Sequence, residues 1–363
     1  MDPTTVFCPN LACPARGQTR QGTIGIHSQK EQRFICHACH KTFSATKGTV
    51  FYRLRTAAET VALVVTLRAH GCPVQALVAA WGLDERTVAD WWARSGRQGQ
   101  AVQECLVEQP RDLGQVQADE IRVKKQGGIV WMALAMMVKT RVWLGGEVSE
   151  QRDRPLIRRL MERVRRCAAR RPLLVCTEGL VSSIRAMRET FRDPVHTGTG
   201  GRPRLRRWRH VLIAQVVKRD ERRRVVETER RIVDGTPARV ETLRRRSHGD
   251  GVINTAYIER LNATLREHLA PLARRCRALA RHTRTRHEGM CLVGTVSNFC
   301  TPHESLSPAQ KTTPAMAAGL TDHCWTMRDL LSFHVPPSRW APPKQRGRPS
   351  RALQYLIARW CAS

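Results

Sequence analysis

The chain has 363 residues, 41% of them hydrophobic, which is material for two or three domains with buried cores. Its 62 Lys and Arg residues face 31 Asp and Glu, a formal net charge of +31. So large an excess draws a molecule to polyanions and makes nucleic acid the expected partner. The start, MDPTTVFCPN, lacks the basic and apolar segments of a signal peptide. The most apolar run, residues 129–138 (IVWMALAMMV), is too short to cross a bilayer, so no membrane role is expected. Thirteen cysteines, an odd number and mostly scattered singly, argue against a disulfide framework. They fit a reducing cytoplasm, at the nucleoid if DNA is the partner.

Residues 1–50 hold Cys8-x4-Cys13 and Cys36-x2-Cys39 around β-like segments. Two close cysteine pairs at this spacing can present four thiolates to one zinc, and so small a unit needs metal to fold. The segment Cys36-His37-Ala38-Cys39-His40 also matches a haem-attachment motif. That chemistry needs an exported chain and leaves Cys8 and Cys13 unexplained, so a zinc finger is expected. Whether His37 or His40 replaces a cysteine stays open. Residues 51–100 read as helices. Pro73–Ala80, the turn Trp81-Gly82-Leu83 and Asp84–Trp92 fit a helix-turn-helix, with Ala76, Leu83 and Val88 spaced to pack its helices. Glu85, Arg86 and Thr87 would then face the major groove. Two ordinary bundle helices are the alternative.

Residues 110–300 alternate strands and helices, which predicts an α/β domain with a mixed sheet, including a hairpin at Gly127-Gly128. Asp119 closes one strand with Glu120 beside it, and Glu178 closes another, RPLLVCTEGL. Glu259 lies on the amphipathic helix NTAYIERLNATLREHLA, sharing a polar face with Asn262 and Arg266. Three carboxylates at two strand ends and on a helix could hold Mg²⁺ or Mn²⁺ with positions open for phosphate oxygens. Solvated surface acids are the plain alternative. A basic insertion near residues 194–252, with Arg204, Arg206 and Arg207, would grip phosphates without reading sequence. Residues 301–363 read as a Pro-rich basic tail. There Arg346-Gly347-Arg348-Pro349 resembles the AT-hook core that enters narrow minor grooves, or is simply a flexible basic tail.

Taken in order, CPNLACPARGQ, RFICHACHKTFSATKGTVFYRLR, the QADEI strand, the strand–acid–glycine at 171–179 and INTAYIERLNATLRE resemble bacterial insertion-sequence transposases of the insertion-sequence-one type. The likeness runs from residue 8 to residue 298. It implies a multidomain α/β chain: zinc finger, helix-turn-helix, then a DDE catalytic domain with an RNase H-like fold. It makes Asp119, rather than Glu120, the first metal ligand and Glu259 the third, with Asn262 and Arg266 as supports. It places Cys8, Cys13, Cys36 and Cys39 on the zinc. The family has Asp-Gly at the second acid, and here Glu178-Gly179 stands there. Asp193 follows the next helix rather than the strand and is not the expected substitute. The implied partners are double-stranded DNA, as transposon ends and target, and a second copy of the chain, at least a dimer. The rival readings are a catalytically impaired DNA-binding remnant and a zinc-ribbon/helix-turn-helix transcription regulator.

Overall fold

The computed structural model describes every residue except 180, 196–197, 199–200, 222–223, 249–250, 270–271, 273–281, 308–310 and 362–363. A three-stranded antiparallel sheet comes first: β1 (Ile24–Ser28), β2 (Arg33–Cys36) and β3 (Thr42–Ser44). Helices α1 (Ala58–Ala69), α2 (Val74–Trp81) and α3 (Glu85–Val102) follow, and a π-type turn over Gln103–Val107 prolongs α3. Next come β4 (Gln115–Lys125), β5 (Gly128–Met137), β6 (Trp143–Ser149), α4 (Arg154–Cys167), β7 (Leu173–Glu178) and α5 (Val181–Thr190). A small ribbon, β8 (Arg192–Val195) and β9 (Arg204–Arg207), precedes the hairpin β10 (Val211–Glu221) and β11 (Arg224–Asp234). The remaining helices are α6 (Pro237–His248), α7 (Ala256–His268), α8 (Thr283–Phe299), α9 (Pro314–Ala317), α10 (Met327–Ser332) and α11 (Arg351–Trp360).

Six strands form one mixed sheet in the order β11-β10-β7-β4-β5-β6. β4, β7 and β10 run parallel; β5 and β11 are antiparallel to their neighbours β4 and β10, and β6 is antiparallel to β5 and so runs the same way as β4. Parallel neighbours need crossovers that cover the sheet, so the central strands are buried on both faces. β4 obeys this: Val116, Ala118 and Ile121 are buried, and so are the polar Gln115, Gln117 and Asp119. Alternation puts the last three on one face, on which α6 and α7 pack, and Glu120 on the other.

α3 and α8 pack tightly through glycines. A methyl group on Gly96 would lie 2.6 Å from the Glu288 carbonyl oxygen, and one on Gly99 would lie 3.0 Å from that of Cys291. Farther along α8, Asn298 accepts from the Trp143 amide at 2.8 Å and donates to the Trp143 carbonyl at 2.9 Å, fixing the start of β6.

Two compact units result, Met1–Ala58 with Leu331–Ser363, and Glu59–Leu330. This division differs from the four segments expected from sequence. α1–α3 share a unit with the sheet, because the glycine-lined contact makes α3 part of its core. The stretch 194–252 is not an insertion: it supplies β10 and β11, two strands of the main sheet. Nor are residues 331–363 a free tail. Trp360 is buried with Cys8, Cys13, Phe34, Cys36 and Phe43, and Arg16 donates to the carbonyls of Ser338 and Arg339. Gly17 sits so close to Pro337 that a Cβ would be 2.6 Å from its carbonyl oxygen.

Smaller expectations shift as well. Gly128 opens β5, leaving Gln126-Gly127 as the hairpin turn, with Gly127 at φ 75°. Between α2 and α3 it is Leu77 and Val88 that are buried, while Ala76 is exposed and Leu83 half-buried. Gly82 takes the left-handed conformation the tight turn requires, at φ 61°.

Candidate functional site

Two constellations stand out, one in each unit. In the first, the Sγ atoms of Cys8, Cys13, Cys36 and Cys39 all lie within 4.8 Å of one another. Cys8 and Cys39 are 3.7 Å apart, and Cys13 and Cys36 3.8 Å. Thiolates arranged tetrahedrally at about 2.3 Å from zinc sit about 3.8 Å from each other, so the donor set fits that ion. Cys36 ends β2, and Cys39 lies in the turn before β3, where His40 takes a left-handed φ of 56°. Burial pushes the Cys13 thiol up to about 12. Against its own burial, the Asn10 side chain and the Lys41 backbone hold Cys39 down to about 7. His37 and His40 are exposed and stand outside the cluster. The open alternative closes in favour of four cysteines.

The second constellation gathers the acids. Ala118 of β4 pairs with Thr177 of β7 in parallel register, which brings Asp119 and Glu178 side by side on the face toward α7. α7 contributes Glu259. Its start is fixed by Gln117, whose amide donates to the Asn254 carbonyl at 2.7 Å and accepts from the Ile258 N–H at 3.0 Å. Asp119 is held from two sides: Asn262 donates to Oδ2 at 2.6 Å, and the Glu120 N–H to Oδ1 at 2.8 Å. Burial, then the neighbouring Glu178 charge, pushes the Asp119 carboxyl up to about 7.

Lys218 of β10 reaches into the same group. Its ammonium bonds Glu259 and stands 3.4 Å from Glu178, while Thr255 donates to Glu259 at 2.7 Å. Despite partial burial, Glu259 holds the Lys218 ammonium above the usual lysine range. Lys218 and Thr255 in turn hold Glu259 below the usual carboxylate range.

Three carboxylates crowd here, with a lysine ammonium standing where a positive charge is needed. The chemistry suits a hard divalent cation, although the oxygens are spread more widely than the cysteine sulfurs. Among the described residues, only the four cysteines bring three or more ligand atoms within 4.8 Å.

Glu120, on the opposite face, is buried against Arg152 at 2.9 Å. Asp193 is engaged elsewhere, paired with Arg165 and Arg170 and accepting from the Trp208 indole at 2.5 Å. Arg266 lies half-buried near the end of α7, with no bond to the acids among the described residues. Glu85 and Arg86 are exposed at the start of α3, where Asp84 caps the helix through the Arg86 N–H, and Thr87 is half-buried. Arg204 and Arg206 are exposed on β9. Arg207 is not free, being bonded to Asp234 together with Arg188. Arg346 and Arg348 are exposed in the segment before α11.

Gln117, Lys218 and Thr255 escaped the sequence reading. Gln117 carried a signal, a polar residue two positions before Asp119 and on the same face of the strand.

No family model matches the chain, and no curated protein matches it. None of the described helices is long and apolar enough to cross a membrane.

Proposed function

We propose that the protein is a DDE-type DNA transposase. It would bind terminal inverted repeats through a zinc finger and a helix-turn-helix, cut DNA in an RNase H-like domain, and join the 3′-OH to target DNA. The observation that carries the reading is the meeting of Asp119 and Glu178 on adjacent parallel strands with Glu259 on α7; Glu178 ends β7, whereas Asp119 lies midway along β4, which runs on to Lys125 instead of closing at the acid. The four-cysteine centre, the capped helix pair with its left-handed Gly82, and the net charge of +31 support the DNA-binding part.

Asp119, Glu178 and Glu259 are the residues that would hold Mg²⁺ or Mn²⁺. Such ions, when bound, activate a hydroxyl nucleophile and neutralise charge at phosphorus. The chain's own residues do the positioning. Asn262 and the Glu120 N–H aim Asp119, Gln117 fixes the helix that carries Glu259, and Lys218 balances the acids until a ligand arrives. Exposed arginines such as Arg204 and Arg206 attract phosphates without reading bases. Pairing of two DNA ends would require at least a dimer.

One observation favours a second reading, a DNA-binding remnant that no longer cuts. Glu178 is one methylene longer than the aspartate of the family, and Lys218 already neutralises it. Misplaced reacting groups cost on the order of 10²-fold in rate.

The test uses nucleic-acid-free protein, Mg²⁺ or Mn²⁺, and duplexes bearing inverted repeats found beside the gene. A transposase yields strand-transfer product that Asp119→Asn and Glu259→Gln abolish. An inactive wild type rescued by Glu178→Asp identifies the remnant. Absence of flanking repeats and of product from both proteins leaves the transcription regulator.

A further inference from the structure

On α7, Glu259 and Asn262 turn to the acids, while Tyr257, Arg260 and Thr264 turn to a different place, a cavity of about 460 Å³. Its other walls come from Arg141, in the β5–β6 connection, and from residues 297–305 after the middle of α8. Arg141 is held in an unusual way. Its φ of 62° is left-handed, a conformation bulky residues avoid. Its guanidinium lies 3.8 Å from the centre of the Tyr257 ring and donates from Nη1 to the Val138 carbonyl. Its Nε is buried with no partner among the described residues. A buried N–H left unmade costs about 1–3 kcal/mol, and more on a charged group.

Arg260, exposed on α7, lines the same cavity. Neither Arg141 nor Arg260 forms an ion pair among the described residues. Burial weighs most against the charged form of Arg141; Tyr257 favours that form, and the Arg260 charge adds to the opposition. His303, also in the wall, is held below the usual histidine range by burial and then by the same two arginines. Glu304, exposed at the rim, is the one acid among the lining residues. Two guanidinium groups lining one cavity, neither of them paired with a carboxylate among the described residues, form a receptor for an anion with several oxygen acceptors. A volume of 460 Å³ far exceeds what a bare phosphate needs and lies within the range of small-molecule sites. Met136, Leu261 and Pro302, with the Tyr257 ring, give part of the wall an apolar surface.

The geometry points to a binding site for a phosphate monoester carried on a nucleoside, gripped by Arg141 and Arg260. Free nucleotide and the 5′-phosphorylated end of a DNA strand share this chemistry. The site is separate from the acid cluster and does not depend on strand cleavage.

Isothermal titration of nucleic-acid-free, full-length protein with dTMP, inorganic phosphate and thymidine tests it. We expect saturable dTMP binding, tighter than inorganic phosphate by at least tenfold, and no binding of thymidine. Arg141→Gly suits the left-handed backbone and removes the guanidinium, so the fold should hold. It and Arg260→Gln should each weaken dTMP at least tenfold. Removing the same charge from β9, by Arg204→Gln with Arg206→Gln, should leave dTMP binding unchanged. Competition of dTMP with 5′-phosphorylated duplex, but not with 5′-hydroxyl duplex, would assign the site to strand ends; no competition with either would assign it to free nucleotide. Lack of dTMP saturation, equal binding of phosphate and dTMP, or equal weakening by the β9 pair would overturn the proposal. The strand-transfer assay reads the catalytic proposal independently, because Asp119→Asn should leave dTMP binding intact.

Discussion

Asp119 is 7% exposed and lies beside two other carboxylates, so its ionisation works against the fold. Its folded value of about 7 stands above the ordinary 3.8, which means that the native state binds the proton more tightly than the unfolded chain. The stability tied to that proton is complete below about pH 4 and is lost as pH rises through about 7. Asp119→Asn keeps the shape and removes the charge. In metal-free protein it should raise the melting temperature at pH 8, by about 2–4 °C per kcal/mol relieved, and change little at pH 4. Calorimetry at the two pH values checks this, and equal melting at pH 8 would contradict it.

At the cysteine centre, atomic emission should find one zinc per chain in the wild type. Cys13→Ser or Cys36→Ser should lose it and unfold the N-terminal unit, since metal binding supplies folding energy there. The four cysteines were legible in sequence because their spacing is local and their chemistry narrow. Lys218 was not, because a lysine within a strand acquires its meaning only from the neighbouring strand and the helix that bring Glu178 and Glu259 to it.

At the scale of elements, the acid site depends on how α7 is attached to β4. Gln117 makes two attachments beside the Asn262–Asp119 bond, so Gln117→Ala should cost about 1–3 kcal/mol by leaving the Ile258 N–H unpaired. If the catalytic reading holds, the same change should lower turnover while leaving DNA affinity near wild type, which a split of kcat from KM would reveal. The other critical joint is α8 against β6. A methyl group on Gly294 would lie 2.3 Å from the Trp143 ring, so Gly294→Ala should destabilise the sheet unit by about 1–3 kcal/mol in denaturant unfolding.

Strand and helix periodicity made most of these elements readable: β4, β7, α4 and α7 lie close to where their patterns put them. What the pattern could not give was the use of 211–234. β11 is arginine-rich and looks like surface, and the apolar start of β10 becomes part of the main sheet only through its pairing with β7.

For the molecule as a whole, the unexpected feature is that residues 331–363 complete the cysteine unit. The run ALQYLIARW carries a helical pattern, but the surface it covers lies at the other end of the sequence, outside any local window. Trp360→Ala should remove about 3–5 kcal/mol from that small core, as truncation of a large buried aromatic does. Zinc should then be lost to a chelator at lower concentration, while the unit holding the six-stranded sheet keeps its own melting transition. A single shared shift of both transitions would show instead that the units unfold as one.

Gln18 donates to the Trp360 carbonyl across 342 residues of sequence. A ribosome adds about 5–20 residues per second, so the first part of this core waits on the order of tens of seconds for its last part. During that time a complete six-stranded sheet can form on the tether between them, while the four thiols stand without the tryptophan that shields them. The cysteine centre is thus completed only after the whole six-stranded sheet has been synthesised. A chain broken off between Leu330 and Trp360 would carry every strand of the sheet beside an unfinished cysteine centre with exposed thiols.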